Sequence, residues 1–154
     1  MPVLQELRIR PATAADIPAL MALEKRATTA AHWSNEQYET ALRCEAPARI
    51  VLLIEEEVGV QAFIAGRALE EEWEIENIAV AGPARRRGLG TRLLGEFLHL
   101  ARGRYAQTVF LEVRESNRAA RRLYEKWAFV ESGRRKLYYR DPEEDAIVYQ
   151  IGVT

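Results

Sequence analysis

The sequence has very few of the residues that build disulfide frameworks and metal centres. Cys44 is its only cysteine, which excludes an intrachain disulfide and a CxxC metal site. His32 and His99 are its only histidines, so a catalytic zinc held by histidines alone is also excluded. We therefore expect no metal site, and we interpret Cys44 as a buried structural cysteine because no His–Asp pattern surrounds it.

Long apolar runs and an excess of one charge are missing too. No stretch approaches the ~18 apolar residues of a membrane-spanning helix, and residues 1–8 lack the apolar run of a signal peptide. The 23 acidic and 22 basic side chains give a formal net charge of −1, so no global field points to nucleic acid or a membrane surface. We expect a cytoplasmic protein that binds neither directly. The sequence leaves the oligomeric state open.

The residues that are present suffice for one domain. The chain has 154 residues, 48% of them hydrophobic, and shows neither an internal repeat nor a linker, so we predict a single domain over 1–154. Apolar periodicity predicts a mixed α/β fold whose N-terminal half is mostly antiparallel. The predicted elements are a strand ended by Pro11, a helix capped by Thr13 or Asp16, a helix opened by a Ser34–Gln37 capping box, strands at 50–54, 58–68 and 73–80 with a turn at 55–57, a helix at 88–102, a strand at 108–114, a helix capped by Asn117, and strands from Phe129 and at 146–153.

The sharpest local motif lies between a predicted strand and the strongest amphipathic helix, and it consists of Arg85, Arg86, Arg87, Gly88, Leu89, Gly90 and Thr91. Two glycines spaced by one residue allow a tight turn and a close approach of the backbone to a ligand. The first amides of the new helix then point outward with the positive end of the helix dipole, which suits a diphosphate. A solvated basic turn is the alternative. The motif is neither a Walker loop nor the GxGxxG dinucleotide fingerprint.

These residues resemble the GCN5-related N-acetyltransferase (GNAT) superfamily. The pattern Arg85-x-x-Gly88-x-Gly90 is similar to that family's pyrophosphate signature, Q/R-x-x-G-x-G/A, and residues 76–80 resemble its fourth strand. Three further segments, 111–117, 123–125 and 138–147, resemble one branch, the bacterial ribosomal-protein-alanine N-acetyltransferases of the RimI type. Ala128 stands where that branch usually has glycine, and residues 31–34 match its Pro-Trp-Ser segment only in part.

The resemblance implies a GNAT fold, in which helices flank a central mixed sheet with a splayed edge. It implies direct transfer of an acetyl group from acetyl-CoA, without a metal, to a primary amine. The favoured acceptor is the N-terminal α-amine of a protein or peptide. A small-molecule N-acetyltransferase and a non-catalytic acyl-CoA sensor are the alternatives. The implied cofactor contacts are the motif at 85–91, Asn117, and the backbone of Ile78, Ala79 and Val80, whose amides would also meet the oxyanion.

Two side chains are candidates for acid–base chemistry. Glu112 interrupts an almost continuous apolar strand, where an unpaired carboxylate is costly. Its position alone is equally consistent with a general base and with a glutamate paired with Arg114 or another arginine, and the resemblance favours the general base. The resemblance implies that Tyr124 is the general acid that protonates the departing sulfur; the alternative is a buried core tyrosine. For Asn117, a helix cap alone is nearly as consistent as a cofactor contact.

Acceptor recognition is less well marked in the sequence. An acidic run at 70–76 could attract a cationic peptide terminus, although a solvated loop and strand edge is the commoner arrangement. Tyr138 and Tyr139 are candidates to line the acceptor groove, with strand packing equally consistent. An α-amine, whose pKa is ~7.7–8.0 against ~10.4 for lysine, needs only a modest base.

Overall fold

A computed structural model describes residues 7–26, 33–43, 48–82 and 87–153 of the chain. The helices and strands follow the predicted order. They are β1 (Arg8–Pro11), a 3-10 turn (Ala14–Asp16), α1 (Ile17–Arg26), α2 (Asn35–Arg43), β2 (Arg49–Glu56), β3 (Gly59–Leu69), β4 (Glu72–Val80), α3 (Leu89–Gly103), β5 (Thr108–Arg114), α4 (Arg118–Lys126), β6 (Val130–Tyr139) and β7 (Glu144–Gly152). Cys44 lies outside the described residues.

Seven strands form one sheet in the order β1-β2-β3-β4-β5-β7-β6. Among the strands of the described residues only β4 and β5 pair in parallel, so the mixed α/β fold with an antiparallel N-terminal half is confirmed. The predicted turn at 55–57 is wrong in its bounds, because β2 continues to Glu56 and the turn is confined to residues 57 and 58.

Helices cover the sheet on both faces. Phe63 and Gly66 lie three residues apart on β3 and therefore face opposite sides. Tyr38 of α2 packs edge-on against Phe63, at 6.1 Å between ring centroids. Phe97 of α3 lies over Gly66, where an added Cβ would come within 2.4 Å of the ring. Helix α4 joins α3, because Trp127 is 3.0 Å from where a Cβ on Gly95 would sit.

Strand β4 forks away from β5 near its middle. Ala65 of β3 pairs with Asn77 and Gly66 pairs with Ile75, so Glu76 is an extra residue in a β-bulge. The ladder between β4 and β5 ends one residue earlier, at Ile75 with Leu111. Beyond that point β4 continues along β3 and β5 continues along β7. The bulge, which bends and twists the strand, is the physical reason for the opening between β4 and β5.

The end of α4 keeps the geometry of a glycine turn without the glycine. Ala128 has φ +69°, and the amides of Ala128 and Phe129 donate to the carbonyls of Glu125 and Tyr124. These bonds and the contact of the Phe129 ring with Tyr124 form a Schellman motif. The departure from the family pattern at Ala128 therefore preserves the turn at the cost of a left-handed residue that carries a Cβ.

Two further observations concern the described part of the chain. The Ser34–Gln37 capping box is present, because the Ser34 amide donates to Gln37 Oε1 at 2.8 Å and the Gln37 amide donates to Ser34 Oγ at 3.2 Å. Among residues 7–26, 33–43, 48–82 and 87–153, no helix is long and apolar enough to cross a membrane.

Candidate active site

The N-terminus of α3 has the geometry predicted for an anion site. Helix α3 begins at Leu89, and Gly88 before it has φ +75°, a conformation that favours glycine. The first helical bond runs from the Arg92 amide to the Gly88 carbonyl, so the amides of Leu89, Gly90 and Thr91 precede it. Glycine offers no side chain to cap them. These amides and the helix dipole fit a diphosphate.

Arg87, immediately before this terminus, pairs with a carboxylate of the protein. It forms an ion pair with Glu56 at the end of β2, with 2.6 Å between Nη1 and Oε1, and the Glu56 side chain is only 2% exposed. The pair therefore ties Arg87 to the sheet. Arg85 and Arg86 lie outside the described residues.

The backbone of β4 presents amides to the opening. The Ala81 amide donates to the Gln61 carbonyl on β3 at 2.8 Å. Because amides alternate between the two edges of a strand, those of Ala79 and Ala81 point toward β3, whereas those of Ile78 and Val80 point toward the β5 side. The edge that the resemblance assigns to the pantetheine arm is thus directed into the opening.

Glu112 lies on β5 just past the end of the ladder and is held by an arginine. Its side chain is 13% exposed, and Arg135 Nε lies 2.5 Å from Glu112 Oε1. The charge of the carboxylate is the main cause that raises the pKa of the Tyr138 phenol, which lies nearby. The partner is Arg135 of β6 rather than Arg114, whose guanidinium stacks over Tyr139 at 4.3 Å.

Tyr124 is buried on the other side of β5. Its ring packs against Phe129 and Tyr149, with 5.7 Å and 6.2 Å between centroids. Burial raises its pKa well above the ordinary value for a tyrosine, so the phenol keeps its proton. Tyr149 pairs with Leu111, and side chains alternate along β5, so Tyr124 and Glu112 lie on opposite faces of the sheet. A reaction served by both groups must take place in the opening between β4 and β5.

Asn117 is the helix cap that the sequence predicts. Its Oδ1 accepts from the Ala120 amide at 3.2 Å, at the start of α4. A contact with the cofactor stays a prediction.

Glu74 and Glu76 of the acidic run are half-buried and ion-paired on β4, whereas Glu72 at the start of the strand is exposed. Glu74 pairs with Arg67 at 3.1 Å, and Glu76 pairs with Arg49 and, at 3.7 Å, with Arg67. Burial raises the pKa of Glu76 against the opposing effect of both arginines. These partners come from β2 and β3, which sequence spacing alone does not bring together.

A cavity of about 300 Å³ lies between α2 and the face of the sheet that carries Glu76. It is lined by Trp33, Glu36, Gln37, Thr40, Arg49 and Glu76. No pattern in the sequence predicts the cavity, because its residues come from segments up to 43 positions apart along the chain. Within the described residues, no three His, Cys, Asp or Glu side chains form a group that could hold a metal ion.

Comparison with known proteins gives consistent results. The sequence model of the Acetyltransferase (GNAT) family matches residues 17–129. The ribosomal protein bS18-alanine N-acetyltransferase of Escherichia coli (strain K12) is 32% identical over 141 residues, covering 90% of this chain and 93% of that protein.

Solved structures share the fold over nearly the whole chain. The crystal structure of the Escherichia coli ribosomal-protein-S18-alanine N-acetyltransferase aligns with a TM-score of 0.85 and 29% identity, covering 97% of this chain and 95% of that one. Arabidopsis thaliana NAA60 in complex with acetyl-CoA aligns with a TM-score of 0.84, covering 96% of this chain and 98% of that one. At 15% identity, the NAA60 match shows the fold alone.

Proposed function

The chain belongs to the Acetyltransferase (GNAT) family and is an acetyl-CoA-dependent N-acetyltransferase, and we propose that its acceptor is the N-terminal α-amine of a protein. The observation that carries the proposal is the placement of Glu112 and Tyr124 on opposite faces of β5, beside the opening from β4. The name of the Escherichia coli relative specifies an alanine of a ribosomal protein, and an N-terminal alanine of that kind is the most specific acceptor that we propose. Such an acceptor would place the reaction in the cytoplasm.

The co-substrate is held at two places in this proposal. The first-turn amides of α3, from Leu89 to Thr91, bind the diphosphate, and Arg85, Arg86 and Arg87 with Asn117 supply further polar contacts. The edge of β4 around residues 78–80 pairs with the amides of the pantetheine arm like an added strand, through the backbone groups of Ile78 and Val80 that point toward the β5 side, whereas those of Ala79 point toward β3. Acetyl-CoA supplies an activated acetyl group as a thioester.

Proton transfer is divided between the two faces. Glu112 takes a proton from the acceptor's ammonium, directly or through one water, so that the nitrogen lone pair attacks the acetyl carbonyl. The Ile78 amide donates to the carbonyl oxygen as negative charge develops there. The C–N bond forms, the C–S bond breaks, and Tyr124 donates its proton to the departing sulfur. The acetylated nitrogen then releases its second proton to water, and a proton from water restores the Tyr124 phenol. The raised pKa of Tyr124 supports this role, because an acid must be protonated before it can donate.

Acceptor binding belongs to the face that carries Glu112. Tyr138 and Tyr139 lie there at the end of β6, and the charge of the proposed base raises the pKa of both phenols. Half of the Tyr138 side chain is exposed, so its ring is available to a peptide.

The test is release of coenzyme A with a panel of acceptors. We expect turnover with a peptide that begins with alanine and none with the same peptide acetylated at its N-terminus. Free polyamines and amino acids should be poor acceptors. Efficient turnover of small amines with none for any peptide would contradict a protein acceptor. Binding of acetyl-CoA without turnover of any amine would contradict catalysis.

A further inference from the structure

The proposed base is covered by two side chains of β6. Arg135 Nε is 2.5 Å from Glu112 Oε1, and Tyr138 lies close enough that the Glu112 charge is the main cause that raises the pKa of its phenol. The Arg135 guanidinium also lies 5.7 Å from the Tyr138 ring centroid, within range of a cation–π contact. Glu112 therefore holds a cation before any acceptor arrives, and an incoming ammonium has to take that place.

The arrangement suits displacement of Arg135. Its side chain is 59% exposed, whereas that of Glu112 is 13% exposed, so the ion pair is screened by water on the arginine side. Arg135 sits on the edge strand of the sheet, beside a shift of register between Arg135 and Tyr139. The guanidinium can swing away without breaking the ladder of the sheet interior.

We propose that Arg135 determines acceptor specificity: its guanidinium leaves Glu112 when a peptide acceptor binds and then donates hydrogen bonds to the first carbonyl oxygen of that peptide. This inference rests on the proposed function, in which Glu112 receives the α-ammonium. In an N-terminal residue only Cα and the carbonyl carbon separate the amine from the carbonyl oxygen. A guanidinium displaced from Glu112 therefore stays within reach of that oxygen, and two of its N–H groups can donate hydrogen bonds to it.

The exchange discriminates between classes of amine. A peptide α-amine brings a carbonyl oxygen that replaces the contact Arg135 loses. A lysine ε-amine or a simple alkylamine displaces the guanidinium but has no carbonyl oxygen close to its nitrogen, so the contact that Arg135 loses is not replaced. Arg135 thus favours peptide N-termini over other amines of equal reactivity.

The experiment compares kcat/KM for an Ala-starting peptide and for n-butylamine in the wild type, Arg135→Gln and Arg135→Lys. We expect the peptide-to-butylamine ratio to fall about tenfold or more in Arg135→Gln, as for loss of a hydrogen bond to a charged group. Arg135→Lys, which keeps the charge without the fork, should fall between the two. Arg134→Gln is the matched control, because the neighbouring Arg134 pairs with Glu115 and Asp145 instead, and its ratio should equal that of the wild type.

An unchanged ratio in Arg135→Gln, or an equal change for both acceptors, would overturn the inference, since a merely structural role affects both alike. Glu112→Gln separates the two proposals. If Glu112→Gln retains full turnover, the proposed base is wrong whatever Arg135 does. If it loses turnover while Arg135→Gln keeps the ratio, only the specificity role fails.

Discussion

The two faces of the sheet differ sharply where β4 and β5 part. On the α3 and α4 face lie a buried protonated phenol, Tyr124, and a helix terminus whose first amides have no side-chain cap. On the other face, Glu112, Glu74 and Glu76 are each paired with an arginine. One face therefore offers a neutral proton donor and free helix-terminal amides, whereas the other holds carboxylates paired with arginines.

The largest effect is expected on the charged face. Glu112→Gln removes the proton acceptor and keeps the shape, so kcat should fall by about 10²–10⁴. The Kd of acetyl-CoA, measured by calorimetry, should stay within about twofold of the wild-type value. Glu131→Gln is the control, because Glu131 is an exposed glutamate on β6 and should leave kcat unchanged. Wild-type turnover in Glu112→Gln would show that Glu112 is not the general base.

The buried face is tested by Tyr124→Phe. Loss of the phenolic proton should slow the release of coenzyme A by about 10²-fold, the lower end for one general acid. The Tm should change little because the ring remains. Tyr105→Phe, at a tyrosine that is 90% exposed, is the matched control and should behave as the wild type.

The same phenol predicts a pH dependence. Burial raises its pKa above the ordinary value of ~10, so the acid stays protonated as pH rises through neutrality. Wild-type activity should therefore show no decline from deprotonation of Tyr124 between about pH 7 and 9. A decline in that range that disappears in Tyr124→Phe would contradict a buried, protonated acid.

A smaller effect is expected at the helix terminus. Gly88→Val places a β-branched residue at φ +75°, which costs about 1–2 kcal/mol of backbone strain. No described residue lies within 4 Å of a Cβ built at this position, so we expect the clash to be with the ligand. The Kd of acetyl-CoA should rise about tenfold or more, with kcat at saturation changed less. Gly103→Ala, at the other end of α3 in open space, should bind acetyl-CoA normally.

The smallest effect concerns the turn that follows the helix of Tyr124. Ala128→Gly relieves the left-handed alanine and should stabilise the protein by about 0.5–1 kcal/mol, net of the entropy that glycine costs. Thermal unfolding should show a rise in Tm of about 2–4 °C for 1 kcal/mol. Ala119→Gly, in the exposed part of α4, should instead lower stability by about 1 kcal/mol. A destabilised Ala128→Gly would mean that the alanine side chain contributes packing there.

Local patterns account for what the sequence predicted correctly. The order of elements follows from apolar periodicity, and the start of α3 follows from Gly88 and the helix after it. Asn117 is recognised as a cap because the signal lies within three residues of the bond it makes.

Contacts between distant segments account for what the sequence did not reveal. Arg134 and Arg135 are adjacent and chemically identical, yet the first pairs with Glu115 and Asp145 and the second with Glu112. Which arginine meets the proposed base depends on the register of β6, which only the folded sheet fixes. Arg87 and Glu56 are likewise 31 positions apart, and no spacing rule joins them.

The separation of β4 from β5 depends on the one extra residue in the bulge at Glu76, and not on which side chain that residue carries. One surplus backbone unit reverses the facing of every later residue of β4 relative to a regular strand. Substitution at position 76 keeps that surplus, whereas removing one residue would restore regular pairing and close the space where donor and acceptor meet. Insertions and deletions in this strand are therefore far more damaging than point changes, even where no reacting group is touched.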